Sequence, residues 1–192
     1  MQFLLHISLQ AIRREESTSM ARKRHIPDFP LRIESQRFGV LRLEQLSLCN
    51  DEILRYYEPS GQISFKCERV QTDPGGVTFA IWPPETGVPD VRAFVRTVEE
   101  RWDAIMGHLG TILDAAIPKI EEAIEWFWQI PDERGPTASD ILRTGHLRRL
   151  NLNTGPGSHV LYIYDAGDLI GGHDLVLELD PQFRPQSAHF DG

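Results

Sequence analysis

The spacing of apolar residues changes twice along this chain, and that double change restricts the fold more than any single motif. Up to Trp82 apolar side chains recur at every second position. Ile63, Phe65 and Cys67 point one way while Ser64, Lys66 and Glu68 point the other, and Val77, Phe79 and Ile81 repeat the pattern. From Val91 the spacing becomes three or four, through Phe94, Val98, Trp102, Ile105 and Leu109, and on through Ile112, Ala116, Ile120, Ile124 and Phe127. After Leu147 the period of two returns. Strands, then helices, then strands define an α+β protein. Its expected form is an antiparallel sheet built from an N-terminal and a C-terminal meander, with a central helical layer packed on one face.

Punctuation refines the outline. An opening strand is expected at Phe38–Glu44, then runs at Ile53–Tyr57, Gln62–Arg69 and Val77–Trp82, the last two separated by Asp73-Pro-Gly-Gly76. Pro89-Asp90 marks a helix start. Gly107 and Gly110 weaken the middle of the helical stretch, and Pro118 predicts a kink or a restart, because proline removes one backbone bond and clashes with the preceding turn. Thr137-Ala-Ser-Asp140 places a capping residue three positions before an acid and opens a short helix to about Arg143. Three alternating runs follow, Leu147–Asn153, His159–Asp165 and Asp174–Asp180, with a last short strand around Ala188–Phe190. Val160–Tyr164 is apolar on both sides and belongs centrally in the sheet.

The chain has 192 residues, enough for one domain with a core of its own. The expected division is an N-terminal tail over 1–30 and a single α+β domain over 31–192. The apolar stretch at Phe3–Ile12 fails as a signal peptide, having no basic residue before it and no small-residue cleavage pattern after it. It is also far too short to span a bilayer. Cytoplasmic residence is the default expectation, and Met20 offers an alternative start that would make the preceding residues an extension. Cys49 and Cys67 are the only cysteines and cannot make a zinc site alone. A buried reduced thiol fits Cys67, with a disulfide to Cys49 left open.

Net charge is −8, which argues against nucleic acid and against an anionic membrane as partners. The distribution is uneven. Residues 1–48 carry eight bases against five acids, whereas 151–192 carry six acids against Arg184 alone. A basic protein partner would therefore meet the C-terminal end.

In order, the chain carries Phe38-Gly-Val-Leu41, a tryptophan-bearing helical centre and a short capped helix. It then runs Tyr164-Asp-Ala-Gly-Asp168, Gly172-His173-Asp-Leu-Val-Leu and Phe190-Asp-Gly192. From Phe38 to Gly192 it resembles the uncharacterised bacterial family known as domain of unknown function 2262. The resemblance implies architecture, with His173 and Gly172 at the family's Gly-His position. It implies no catalytic set. Proteins of this general kind resemble small immunity proteins of bacterial toxin systems. The extended N-terminus and the proline within the helical stretch depart from the family pattern.

The segment Asp165-Ala-Gly-Asp-Leu-Ile-Gly-Gly-His-Asp174 concentrates three carboxylates and a histidine. Two readings stay open. Asp165, Asp168, His173 and Asp174 could hold a hard or borderline divalent ion and support metal-dependent hydrolysis, with His159 approaching across the hairpin. Equally, aspartate and glycine belong in any tight turn between strands, where one supplies side-chain-to-backbone bonds and the other positive φ. No nucleophile elbow, phosphate-cradling loop or dinucleotide fingerprint is present, so no catalytic residues and no cofactor are assigned. Adjacent positions on a helix diverge by about 100°, so Trp126, Phe127 and Trp128 cannot share one buried face. Trp126 or Trp128 is then a candidate partner contact, beside the carboxylates Asp165, Asp168 and Asp174. A binding module with an acidic surface, a metal-dependent hydrolase and a self-associating structural protein are the functions left standing.

Overall fold

The computed structural model describes residues 28–47, 53–60, 63, 67–128, 135–164 and 168–192, and the backbone of 165. Among the described residues, five strands, two helices and four strands follow one another along the chain. They are β1 (Arg32–Ser35), β2 (Gly39–Ser47), β3 (Ile53–Pro59), β4 (Gln71–Thr72), β5 (Thr78–Trp82), α1 (Val91–Phe127), α2 (Ala138–Thr144), β6 (Gly145–Asn153), β7 (His159–Asp165), β8 (Asp174–Leu179) and β9 (Pro185–Asp191). They form one mostly antiparallel sheet in the order β1-β2-β3-β5-β6-β7-β8-β9, with the short β4 also pairing β6.

The two meanders are joined by parallel pairing. β5 runs parallel to β6, from Thr78↔Arg149 to Trp82↔Asn153, and β4 runs parallel to β6 at Gln71↔His146 and Thr72↔Leu147. A parallel connection needs a long crossover, and α1 with α2 supplies it. The purely antiparallel sheet expected from the alternation is corrected at this seam.

α1 is a single helix from Val91 to Phe127. Asp90 caps it, its carboxylate accepting from the Ala93 N–H at 3.0 Å. The break expected at Pro118 does not occur, and Gly107 and Gly110 do not interrupt the helix either. The reason is tertiary: Ile105, Leu109, Ile112, Leu113, Ala116 and Ile120 form a nearly continuous buried stripe across all three positions. Each large apolar side chain so buried contributes about 1.5–3 kcal/mol. That outweighs about 1 kcal/mol for a helical glycine and about 3 kcal/mol for a proline.

Phe38, Phe79 and Trp102 meet ring to ring, with centroids 4.9–5.6 Å apart, and link β5 to the first half of α1. The same cluster takes in Leu41, Leu147, Leu150, Leu161, Leu175 and Leu177. β7 lies inside the sheet, with Leu161 and Ile163 fully buried. Its other face is only half-buried, where Arg149 and Arg148 lie over the rings of Tyr162 and Tyr164.

Two expectations shift at the N-terminal side. Asp28–Pro30, assigned to the tail, is tied into the fold. Asp28 bridges Gly87, and the Tyr57 hydroxyl donates to the Pro30 carbonyl at 3.0 Å. Burial, and then the Asp28 carboxylate, push that hydroxyl up to about 12, so it remains a donor. The strand expected at Gln62–Arg69 falls largely outside the described residues; within them Ile63 makes one bridge to Val77, and Cys67–Val70 is not strand. Cys67 is half-buried against the core, and Cys49 lies outside the described residues. No described helix is long and apolar enough to cross a membrane.

Candidate functional site

The acidic turn between β7 and β8 is built from glycine conformations that other residues rarely adopt. Gly171 and Gly172 have φ of 66° and 81°, and Asp168 itself sits at 55°. Asp168 is exposed on this turn. Asp165 ends β7, its backbone paired with Gly145, and its side chain lies outside the described atoms. The alternation of β8 then turns Asp174 away from the core that Leu175 and Leu177 enter.

Asp174 is partly buried. Burial raises its pKa, Asp191 opposite it on β9 raises it further, and Arg148 at 3.7 Å pulls the other way. One of its oxygens is buried with no hydrogen-bond partner. His173 has its ring edge-on to Phe127, with centroids 5.1 Å apart. Its Nδ1 is also buried without a partner, covered by the backbone of Gly192, where an added Cβ would lie 2.6 Å away. Among the described residues no three of His, Cys, Asp and Glu are grouped so as to hold a metal ion.

His159 does not approach His173. It pairs with Leu179, whereas Tyr164 pairs with Asp174, so the two histidines lie toward opposite ends of the β7–β8 ladder. His159 is fully buried, with its ring against Phe183 at 4.9 Å. Its Nδ1 accepts the Asn153 N–H at 3.2 Å, which leaves the proton of the neutral ring on Nε2, a buried atom with no acceptor. Burial above all, then the Arg101 guanidinium, lowers its pKa to about 4, against a smaller opposing pull from Asp180. Arg101 reaches from α1 into the same loop and donates to the carbonyls of Asn153 and Gly155. This group fastens the β6–β7 turn to the helix. It is structural.

The aromatic run at the end of α1 divides three ways, as helical geometry demands. Phe127 points inward between His173 and Phe190. Trp128 packs half-buried against the core, its indole N–H without a partner. Trp126 is 77% exposed. It stands at the lip of a groove of about 510 Å³ between α1 and β9, floored by Ala123, Ala188 and Phe190. Inspection of the sequence could single out Trp126 but not this groove, because its walls are some sixty residues apart in the chain. The spacing of Lys119, Glu122, Ala123 and Trp126, which share one helix stripe, was the available signal.

Glu122, Lys119 and His189 are the ionisable residues that line the groove, and further acids lie on the same elements or beside them. Glu122 and Glu125 lie on the last turns of α1, Glu178 accepts from the Ser187 hydroxyl at 3.1 Å, and Asp191 ends β9. Lys119 is held by Glu122 at 3.1 Å. The groove offers a large apolar ring beside the apolar side chains of Ala123, Ala188 and Phe190.

No protein-family model, curated protein or solved structure matches this chain.

Proposed function

We propose that this chain is a non-enzymatic, cytoplasmic protein-binding module of the immunity or antitoxin kind, which meets a basic protein through its acidic C-terminal surface. The observation that carries the reading is Trp126, 77% exposed at a groove that Ala123, Ala188 and Phe190 line, in a chain whose residues 151–192 carry six acids against Arg184 alone. Tryptophan is among the residue types enriched where protein interfaces hold most tightly. The surrounding negative charge would speed the approach of a positive partner and reject a negative one. The resemblance to the domain of unknown function 2262 family, itself resting on residues alone, agrees with such a role.

The test uses the full chain as bait in cell extract, beside Trp126→Ala and a triple charge reversal at Asp165, Asp168 and Asp174. Support is the capture of one basic protein by the parent that both variants lose while keeping the parent's melting temperature. Unchanged capture by the charge-reversed variant would sink the acidic-surface reading.

A further inference from the structure

We infer that the free edge of β1 is a self-association surface, where two copies of this chain pair antiparallel about a twofold axis at Ile33. The inference is independent of the basic partner. It uses the sheet edge opposite β9 and leaves the Trp126 groove open in both copies.

The backbone sets which groups are on offer. β1 is first in sheet order and pairs with β2 alone among the described residues. The Leu43 N–H donates to the Leu31 carbonyl at 3.1 Å, and hydrogen-bonded pairs alternate along an antiparallel ladder. Ile33 and Ser35, opposite Leu41 and Gly39, therefore turn their N–H and C=O toward β2. Arg32 and Glu34 turn theirs outward. At the far end the Ser35 hydroxyl donates to Glu99 on α1 at 3.0 Å, which holds the strand in place before any partner arrives. The chain enters the fold at the bridge between Asp28 and Gly87, beside the start of α1 rather than along this edge.

Charge then selects the occupant and the register. When the strand pairs with a copy of itself, outward residues must meet outward residues, which allows three registers. One sets Arg32 against Arg32, another sets Glu34 against Glu34, and like charges directly opposite are unfavourable. The third is centred on Ile33 and sets Arg32 against Glu34 of the second copy, twice. Within one chain neither residue has an opposite charge across the ladder: Arg32 faces Arg42, and Glu34 faces Val40. Their one ion pair is with each other along the strand, at 3.1 Å, and both side chains are well exposed. In the Ile33 register the four charges alternate in sign around a square.

The same register covers an apolar side chain that the single chain leaves in water. Leu31 is 79% exposed and would lie opposite Ser35 of the second copy. Short strands and outward charges are also how edges are guarded against indiscriminate pairing. Here the two signs admit a copy of the same strand in one register. A four-residue edge buries less than the roughly 800 Å² per partner of a standard complex, so association is weak and depends on concentration.

The experiment is sedimentation of the full chain from micromolar to millimolar concentration, with amide hydrogen exchange over the same range. The parent should pass from monomer to dimer, with the Arg32 and Glu34 amides slowing as it does. Arg32→Glu alone and Glu34→Arg alone set like charges opposite one another, and each should weaken association about tenfold at the parent's melting temperature. The two single variants mixed in equal amounts should associate at least as well as the parent, because each supplies the sign that the other lacks. The variant carrying both substitutions should recover the parent's affinity. A parent that stays monomeric at millimolar concentration overturns the inference. Association that ignores either single reversal, or amide protection that rises on another strand instead, also overturns it. A mixture that associates no better than its components removes the Ile33 register and the inference with it.

Discussion

His159 should make this protein acid-sensitive in a defined window. The ring is fully buried and neutral, with a folded-state pKa of about 4 against an ordinary value of 6.5. On acidification the unfolded chain takes up the proton first. The contribution of His159 is therefore whole above pH 6.5, shrinks as pH falls below it, and stops shrinking once the folded ring protonates near pH 4. From those two values the loss is about 2 kcal/mol at pH 5 and about 3 kcal/mol at pH 4. Physically, protonation places a hydrogen on Nδ1, where the Asn153 N–H now donates, and sets a positive charge beside Arg101. The assay is urea denaturation from pH 8 to pH 4.5 of the parent and of His159→Leu. The variant loses the acceptor for Asn153 and should be weaker by about 1 kcal/mol at pH 7. The gap should close and reverse as pH drops, because the leucine does not titrate. Parallel stability curves, or a folded-state ring titrating near 6.5 by NMR, would refute the reasoning.

Two further substitutions test the frame of the fold. Gly87 sits at φ +88°, and a Cβ there would lie 2.6 Å from the Asp28 carbonyl oxygen, so Gly87→Ala should cost about 2 kcal/mol or more in urea titration. Thr137 and Asp140 form a reciprocal cap at the start of α2, and Thr137→Ala should lower stability by about 1 kcal/mol, read as a shifted urea midpoint at constant slope.

Local chemistry was the part of this fold that the sequence expressed clearly. Asp90 and Thr137 cap the helices where a short polar residue precedes a periodic run, and β6 to β8 follow the alternation of their apolar residues. β1 was missed because Arg32-Ile-Glu-Ser35 carries a single large apolar residue; its strand character comes from pairing with β2. The parallel seam was missed for a related reason. Alternation along β5 and β6 says which side chains turn inward but not which way a neighbouring strand runs. Pro118 signalled a kink or a restart, and the helix runs through it without restarting. At the candidate site, helical divergence correctly separated Trp126, Phe127 and Trp128 but could not choose which indole stays wet. That choice depends on β9, which approaches from the far end of the chain.

The parallel seam between β5 and β6 also has a consequence for biosynthesis. Leaving the ribosome, β5 emerges well before its partner, since α1 and α2 must both be translated first. For several seconds at ordinary elongation rates the flank of β5 stays unpaired beside nascent apolar surface. Any slowing of translation across the helical segment lengthens that interval, so the yield of native protein depends on codon tempo between Trp82 and Gly145.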